Sequence, residues 1–530
     1  MKKSIISIDD VSKFFDQLSA IRRGFLLMAA GLLSALAFAP YYIFPTYFIS
    51  FPILLIATMN SRSFKAAFIC GYMFGIGHFF AGLYWIGNSF TVEPDVPSWL
   101  GYPMVMMLAA LLAVFVGLVT LLVKYVHKNH SIKTHRVNVI LTFIVAWSIS
   151  EWLRGHIFTG FPWNLSGYIW GFSDAILQST AIWGIYGLTT VTMCLSFIPF
   201  LMLDKRCRIG AGVFGIVILS GLLVYGNDRL PDEIEYVEGI KLKIVQPNIN
   251  QEDKWAYNNW GKNLVKYMDM SEVDENDAIT HVIWPETAVI YSLYEEPFRR
   301  QLISQILEPG GKLLTGFPRR QRDPGATKIY NSLIAINETG EIEGFYDKSH
   351  LVPFGEYVPS FVKNIIQFMG LEKIFPGGLD FSVGPGVRTL DIPGLPPVGV
   401  LICYEVIFPG QVAAQANRPE WLLNITNDAW YGESSGPYQH FLQTRVRAIE
   451  EGMPVVRSAG TGISAVIDPY GRTLHKVLLN NRGVINSELP KPIATITIYS
   501  FYKEWIFTCI NVILLMANLM FVKRYDFVSR

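Results

Sequence analysis

The chain has 530 residues, of which 51% are hydrophobic and 16% are charged, and its mean hydropathy is +0.31. This composition is too apolar for an ordinary soluble enzyme, so we expect part of the chain to lie in lipid. The formal net charge of +1 at pH 7 gives no basic footprint for nucleic acid, so we expect no nucleic acid partner.

Apolar runs long enough to span a bilayer, roughly 17 to 25 residues each, dominate the first part of the chain. They fall near 24–40, 41–59, 66–90, 101–123, 137–153, 176–203 and 209–225, and one more lies near 504–522. The pattern predicts about eight transmembrane helices, in an N-terminal membrane domain over 1–225 and a C-terminal helix with its tail over 504–530. The small residues Ala37 and Ala39 resemble a signal-peptide cleavage site, but Pro40 and a further apolar run follow at once, which favours an uncleaved helix.

Basic residues in the short connections predict the orientation, because Lys and Arg stay on the cytoplasmic side. With the N-terminus inside, the cytoplasmic segments hold Lys2, Lys3, Lys13, Arg22, Arg23, Arg62, Lys65, Lys124, Lys128, Lys133, Arg136, Lys205, Arg206, Arg208, Lys523, Arg524 and Arg530. Seven crossings then place the residues that follow outside the cytoplasm. Glu151 and Arg154, near the outer end of the fifth run, are ionisable exceptions that we expect to shape a lipid entrance.

The sequence changes character between about 226 and 503, where short strands, amphipathic helices and Gly/Pro turns replace the long apolar runs. The segments 241–245 and 332–336 have alternation suited to the strands of a sheet. This pattern alone predicts one large mixed α/β domain on the extracytoplasmic side.

Three reactive side chains in this domain form a plausible catalytic set. Glu286 follows the apolar segment 281–284, Lys348 lies in the sequence Tyr-Asp-Lys at 346–348, and Cys403 stands where the apolar run 398–402 ends. A thiol needs a base to become a thiolate, and a carboxylate and an ammonium beside it can take its proton and stabilise the charge.

Taken alone, Cys403 could equally be an inert buried cysteine. It has no disulfide partner in its own domain, since the other cysteines lie in the apolar spans or in a cytoplasmic loop: Cys70, Cys194, Cys207 and Cys509. An unpaired thiol on the oxidising side of a membrane calls for a reason. The histidines are too scattered to form a ligand set, so we expect no metal and no other cofactor.

Several blocks of this sequence resemble a known family. They are Trp-Pro-Glu-Thr-Ala at 284–288, the segment 347–359 that begins Asp-Lys-Ser-His, Ile-Cys-Tyr-Glu at 402–405, Asn-Asp-Ala-Trp-Tyr-Gly at 427–432 and Pro-Tyr-Gln-His at 437–440. These blocks resemble the carbon-nitrogen hydrolase (nitrilase) superfamily. With the apolar spans and the blocks 151–155 and 159–163, the chain resembles the membrane-embedded branch of that superfamily, the bacterial apolipoprotein N-acyltransferases.

The resemblance implies a four-layer αββα sandwich over 226–503, joined to an α-helical membrane bundle. It implies Cys403 as the nucleophile and Glu286 as the general base. Lys348 would stabilise the tetrahedral oxyanion together with a backbone N–H near Tyr404. Glu286 has an ordinary alternative as a surface carboxylate, and Lys348 has one as a solvated lysine that pairs with Asp347.

Further residues are implied as supporting groups. The family carries a second glutamate at the position of Glu356, where it orients the lysine or the incoming amine. Glu405 either holds a neighbouring loop by hydrogen bonds or supports catalysis, and Tyr404 has the same two alternatives. Trp255 and Trp430 are candidates for lining an acyl pocket, although large aromatic side chains are usually part of a core.

The activity implied is transfer of a fatty acyl chain from a phospholipid, through a Cys thioester, to the α-amine of a diacylated apolipoprotein. The expected partners are therefore the phospholipid donor, the apolipoprotein acceptor and the bacterial inner membrane, with the protein as a monomer. A membrane-tethered amidase that passes the acyl group to water is the alternative enzyme. A transporter or scaffold with an inactive extracytoplasmic domain is the alternative of another class.

The segment 359–371 has apolar residues over a broad helical face. One interpretation is a lid that touches the lipid and brings acyl chains to Cys403. The other is a helix that packs on its own domain.

Overall fold

A computed structural model of the chain describes residues 8–92, 97–129, 135–272, 278–323, 326–358 and 381–528. Its internal contacts divide the chain into two units. A helical unit comprises Met1–Gly87, Tyr102–Leu230 and Phe501–Arg530. An α/β unit comprises Asn88–Gly101 and Pro231–Ser500.

The apolar runs form helices, as their composition predicts. The main helices are Ile8–Gln17, Ala20–Ala35, Pro45–Met59, Phe64–Leu83, Gly101–Val126, Arg136–His156, Asp174–Leu177, Thr180–Ser196, Ile198–Met202, Arg208–Arg229 and Trp505–Val528. Within the described residues, the segments long and apolar enough to cross a membrane are Phe64–Val92, Ser98–Val126, Arg136–His156, Thr180–Met202 and Arg208–Arg229. Pro45–Met59 and Trp505–Met520 are shorter apolar helices. The predicted helical bundle is confirmed, and its eight crossings stay a prediction.

Two glycines allow a close helix pair in the helical unit. A methyl group added at Gly31 would overlap the carbonyl oxygen of Phe74, and one added at Gly77 would overlap that of Met28. Small residues at such positions let apolar helices approach to backbone contact, which supplies the packing that lipid cannot.

Glu151 lies inside the helical unit rather than at an open entrance. Its side chain is 4% exposed and accepts hydrogen bonds from the indole of Trp147, from both the amide and the hydroxyl of Ser166, and from the hydroxyl of Thr189. Arg154 is equally buried and donates to two backbone carbonyls. A carboxylate with this many donors is an internal structural group, so the expectation of a lipid entrance at this pair is not supported.

The α/β unit is built on two six-stranded sheets. The first has the order β12-β1-β2-β3-β4-β5 and the second the order β11-β10-β9-β8-β7-β6. In chain order the strands are β1 Tyr236–Gln246, β2 His281–Ile283, β3 Lys312–Asp323, β4 Ala326–Asn337, β5 Ile342–Asp347, β6 Thr389–Leu390, β7 Val398–Ile402, β8 Trp421–Thr426, β9 Val455–Ala459, β10 Ser464–Ile467, β11 Thr473–Val477 and β12 Gly483–Pro490. The strands predicted at 241–245 and 332–336 are thus part of β1 and β4.

Alternation along the strands produces the layers. One core lies between the two sheets and contains Leu242, Ile244, Leu314, Leu333, Val400, Ile402, Leu423 and Val456. The opposite face of the first sheet packs on the helices Trp260–Ser271 and Pro297–Ser304. The helix Ser435–Glu451 covers the second sheet, where Arg457 of β9 donates to Thr444 of that helix. Successive side chains point to opposite faces of a strand. The inner faces of the two sheets therefore meet in one core while helices cover their outer faces, which confirms the predicted four-layer αββα sandwich.

Parallel pairing brings the ends of several strands together. β2 lies between β1 and β3 in parallel register, and β8 lies between β7 and β9 in parallel register. Carboxyl ends of neighbouring parallel strands meet at one edge of a sheet. The segments that follow β2, β7 and β8 carry Glu286, Cys403 and Asp428 respectively.

Candidate active site

Glu286 lies just beyond β2 and is fixed through both carboxylate oxygens. Its Oε1 accepts from Asn331 Nδ2 at 2.7 Å, and its Oε2 accepts from the backbone N–H of Asn427 at 2.7 Å. Its backbone carbonyl accepts from Lys254 Nζ at 2.9 Å. A carboxylate held in this way has little rotational freedom, so its basic oxygens keep one orientation.

Lys348 directly follows β5, and its ammonium group is held between two carboxylates. Nζ lies 2.8 Å and 2.9 Å from the two oxygens of Glu356 and 3.8 Å from Oε1 of Glu286. The side chain is 1% exposed. Burial by itself lowers the pKa of Lys348, but the charges of Glu356 and Glu286 outweigh it and raise that pKa, so the group remains an ammonium.

Glu356 connects the lysine to the rest of the site. Its Oε1 also accepts from Asn331 Nδ2 at 2.9 Å, and its Oε2 accepts from the backbone N–H of Val352 at 2.8 Å. The amide of Asn331 therefore donates to both glutamates at once. The sequence analysis did not identify Asn331 as part of the site. Its position next to the segment 332–336 was a signal, because a polar residue buried beside a strand needs hydrogen-bond partners.

Cys403 ends β7 and begins the short 3-10 helix Cys403–Ile407. Its backbone has φ of +51°, in the left-handed region that non-glycine residues rarely adopt. Residues held in this region often mark functional sites. The side chain is 7% exposed, and burial followed by the charge of Glu286 raises the pKa of the thiol to about 12, while Lys348 opposes the shift.

Glu405 ties the turn at Cys403 to the loop that carries Lys348. Its Oε2 accepts from the backbone N–H of Ile402 at 2.7 Å. Its Oε1 accepts from the Tyr346 hydroxyl at 2.9 Å and from the Ser349 backbone N–H at 2.7 Å. These contacts give Glu405 the geometry of a loop anchor.

Tyr404 belongs to an aromatic cluster on the same turn. Its ring lies edge-on to Phe408 at 5.1 Å between centroids, and His350 stacks on Phe408 at 3.8 Å. Burial raises the pKa of the Tyr404 phenol, so the hydroxyl stays protonated at neutral pH.

A second buried cation, Lys254, also lies beside the site and was not predicted from the sequence. Its side chain is buried, and its contact with the Glu286 carbonyl places it behind the base. Burial lowers the pKa of Lys254 to about 8, although Glu286 and Cys403 oppose the shift. Its only sequence signal was its position next to Trp255.

The two tryptophans proposed for the acyl pocket lie on different elements. Trp255 ends the helix Gln251–Trp255 and is 39% exposed. Trp430 is half-buried in the short 3-10 helix Asp428–Tyr431. Their contact with an acyl chain stays a prediction. The segment 359–371, interpreted above as a lid or a packed helix, lies outside the described residues.

A polar network lies behind Cys403. His440, from the helix Ser435–Glu451, points one ring nitrogen to the Cys403 carbonyl oxygen at 3.2 Å and the other to Asp428 at 3.0 Å. Arg457 pairs with Asp428 at 2.6 Å. The sequence blocks 427–432 and 437–440 contain two of these residues, but no role was assigned to them.

The α/β unit offers a buried thiol, a carboxylate fixed through both oxygens and an ammonium group held by Glu356. The charge of Glu286 raises the pKa of Cys403, and the charge of Lys348 opposes that shift. Such a set can form and break an acyl–sulfur bond. Among the described residues, no group of three or more His, Cys, Asp or Glu side chains is placed to hold a metal ion.

Comparison with known proteins covers both units. Residues 30–198 match the family model of the apolipoprotein N-acyltransferase N-terminal domain, and residues 241–495 match that of carbon-nitrogen hydrolases. An apolipoprotein N-acyltransferase from Rhodopseudomonas palustris is 39% identical over 502 residues, which cover 91% of this chain and 92% of that protein. One from Bradyrhizobium diazoefficiens is 37% identical, over 90% of this chain and 91% of that protein.

Among solved structures, an amidase from Nesterenkonia sp. is 20% identical, with 48% of this chain and 92% of that chain covered and a TM-score of 0.35. The sequence relatives are far closer, and their similarity extends through the membrane helices as well as the sandwich. The chain therefore belongs to the apolipoprotein N-acyltransferase family.

Proposed function

We propose that the protein transfers a fatty acyl chain from a phospholipid to the α-amine of the diacylglyceryl-cysteine of an apolipoprotein, the reaction that completes lipoprotein maturation. The observation that carries the proposal is the setting of Lys348. Its buried ammonium contacts Glu356 and stands 3.8 Å from Glu286, and its charge opposes the rise in the pKa of the buried Cys403 thiol. Membership of the family, with its membrane half matched as well, supports the transferase over the hydrolase.

In the first half-reaction the Cys403 sulfur attacks the ester carbonyl carbon of the phospholipid, and Glu286 takes the thiol proton. The new C–S bond creates a tetrahedral oxyanion, which the Lys348 ammonium and the backbone N–H of Tyr404 stabilise. The C–O bond then breaks, and Glu286 returns the proton to the departing oxygen. Lysophospholipid leaves, and the acyl chain remains on Cys403 as a thioester.

In the second half-reaction the amine of the acceptor attacks the thioester carbonyl. Glu286 takes a proton from the attacking nitrogen, and the C–S bond breaks to release the Cys403 sulfur, which recovers the proton. The product is an amide. Because the acyl group is stored on the enzyme between two substrates, we expect ping-pong kinetics.

Transfer to an amine rather than hydrolysis requires that water be kept away from the thioester. The side chains of Glu286 and Cys403 are both buried, so bulk water has little access to the thioester. An amine attacks a thioester readily, whereas the starting ester is comparatively inert towards amines. The alternative, a membrane-tethered amidase, uses the same three residues but passes the acyl group to water.

We assign supporting roles on the same basis. Glu356 orients Lys348. Glu405 anchors the loop that follows Lys348. Tyr404 contributes its backbone N–H, while Trp255 and Trp430 are candidates for contact with the acyl chain. We further propose a monomer in the bacterial inner membrane, with the N-terminus in the cytoplasm and the α/β unit on the extracytoplasmic face.

The test is the intact mass of the purified full-length protein after incubation with phospholipid. We expect a fatty-acyl adduct that maps to Cys403, is absent from Cys403→Ser, and disappears when a diacylated lipopeptide with a free amine is added. The lipopeptide should gain the same mass. The matched control is the same lipopeptide with its amine acetylated, which should leave the adduct in place.

Two results would contradict the proposal. If the folded wild-type protein forms no adduct, the proposed thioester intermediate is contradicted. An adduct that decays to free fatty acid at the same rate with either lipopeptide would indicate a hydrolase instead.

A further inference from the structure

The network behind Cys403 is fully buried and closely hydrogen-bonded. His440, Asp428 and Arg457 have no exposed side-chain surface. Asp428 Oδ1 accepts from the Thr426 hydroxyl at 2.9 Å and lies 3.0 Å from His440 Nδ1, and its Oδ2 accepts from Arg457 Nη2 at 2.6 Å. Burial of so many polar groups is costly unless each has a partner, so the network holds one geometry.

One end of the network reaches the backbone of the nucleophile. His440 Nε2 lies 3.2 Å from the carbonyl oxygen of Cys403. A carbonyl oxygen can only accept, so Nε2 must carry a hydrogen. Nδ1 has a choice of partners, because it lies 3.0 Å from Asp428 Oδ1 and 3.1 Å from Arg457 Nη2. The donation to Cys403 is therefore present whether the imidazole is neutral or charged.

This hydrogen bond fixes more than one atom. The carbonyl of Cys403 and the N–H of Tyr404 belong to the same peptide unit, which is planar and trans. In such a unit the oxygen and the hydrogen point in opposite directions. A donor that holds the Cys403 oxygen on one side therefore sets the direction of the Tyr404 N–H on the other side.

The backbone at this position needs such support. Cys403 has φ of +51°. A left-handed conformation at a residue with a side chain is strained, and it persists only where surrounding contacts determine it. Glu405 restrains the turn from the side of Ile402 and Ser349. His440 restrains it from the helix Ser435–Glu451.

We propose that His440 is a positioning residue for the oxyanion site. Its Nε2–H fixes the Cys403–Tyr404 peptide plane so that the Tyr404 N–H meets the developing oxyanion, and Asp428 with Arg457 fixes the imidazole. The inference rests on the proposed acyl transfer at Cys403. It adds a residue 37 positions from the nucleophile that does not itself touch the substrate.

Matched substitutions separate this role from a purely structural one. His440→Gln can place an amide N–H near the Nε2 position, whereas His440→Asn places its amide near Nδ1 and leaves the Cys403 carbonyl without its donor. Both variants keep a polar side chain in the buried network. Thermal unfolding of the two full-length variants in detergent shows whether they fold equally well.

Two rates are measured on each variant. The first is acylation of Cys403 by phospholipid, followed by intact mass at several lipid concentrations. The second is alkylation of Cys403 by iodoacetamide, a displacement at carbon that creates no oxyanion. Comparison of the two rates isolates the oxyanion-stabilising step from the reactivity and accessibility of the thiol.

We expect His440→Asn to lower the maximal rate of acylation by roughly 100-fold, as for loss of one oxyanion donor, with the half-saturating lipid concentration almost unchanged. His440→Gln should recover acylation to within about tenfold of wild type, because it restores the donor. Alkylation should be the same in all three proteins.

Equal acylation in wild type and His440→Asn would overturn the inference, as would a parallel loss of alkylation and acylation in both variants. These results leave the proposed function intact, because wild-type protein still forms the adduct. If the wild-type protein forms no adduct, the proposed function itself is contradicted.

Discussion

Cys403 is poised as a thiol rather than as a preformed thiolate. Burial and the charge of Glu286 raise its pKa to about 12, and the opposing effect of the Lys348 charge is smaller. The proton must therefore leave as the sulfur attacks, which makes a fixed base necessary. Glu286, with a hydrogen bond to each carboxylate oxygen, has the required restraint.

The pH dependence of Cys403 alkylation checks this view. The thiolate fraction rises tenfold per pH unit below the pKa, so we expect the alkylation rate to keep rising from about pH 7 to pH 10. An ordinary thiol with a pKa of about 8.5 levels off within that range. The measurement is the initial rate of iodoacetamide labelling at Cys403, with free cysteine amide in the same tube as the control. A plateau below about pH 8.5 would show that Lys348 stabilises a resting thiolate.

At the level of elements, the site depends on the close contact between β3 and the segment that carries Glu286. Gly316 of β3 donates to the Pro285 carbonyl at 3.2 Å. A Cβ atom there would lie 2.5 Å from the Thr287 nitrogen, 2.6 Å from Glu286 Cα and 2.7 Å from the Pro285 oxygen. All three are backbone atoms, so only movement of the segment could make room.

Gly316→Ala should therefore displace Glu286. We expect the acylation rate to fall by roughly 100-fold, since a displacement of about 1 Å at a reacting group has that effect. Overpacking should also destabilise the fold by about 1 to 3 kcal/mol. The measurements are thiol acylation by intact mass and thermal unfolding.

Gly344→Ala is the matched control in the same sheet. A Cβ atom at Gly344, in β5, meets only one side-chain carbon of Ile392, at the ordinary distance of 3.7 Å. We expect acylation and stability close to wild type. Similar acylation in the two alanine variants would show that β3 does not constrain the base.

At the level of the whole molecule, the chain combines a helical unit with an α/β unit that has its own two sheets and cores. The α/β unit is connected to apolar helices at both of its ends, Arg208–Arg229 before it and Trp505–Val528 after it. Lipid substrates reside in the membrane, so such anchoring keeps an acyltransferase where its substrates are. The prediction that the α/β unit lies on the extracytoplasmic face depends only on the basic residues in the short connections between the apolar runs.

Cysteine labelling of intact spheroplasts measures that orientation. Lys262→Cys introduces a thiol on the exposed surface of the helix Trp260–Ser271, and Arg62→Cys introduces one in a predicted cytoplasmic connection. A membrane-impermeant maleimide should modify the Lys262 variant in intact spheroplasts and the Arg62 variant only after permeabilisation. The unsubstituted protein gives the background from native cysteines. The opposite labelling pattern would reverse the orientation.

Local sequence patterns determined much of this protein. Each long apolar run predicted a helix because the hydrophobicity of a span is a property of consecutive residues. The strands at 241–245 and 332–336 and the α/β class followed from their local patterns and composition for the same reason. Glu286 and Cys403 stood out because each follows an apolar strand, and Lys348 stood out because it lies in a recognisable block of residues.

Glu356 and Glu405 were expected from the sequence as supporting groups, but only the tertiary structure revealed Asn331 and His440. Asn331 donates to both Glu286 and Glu356, and His440 reaches the carbonyl of Cys403 from a separate helix. Their partners lie 25 to 45 positions away in the chain. A polar residue within an apolar strand of the sequence can be expected to need hydrogen-bond partners once it is buried. Which groups become its partners is decided by strand order, register and layer packing.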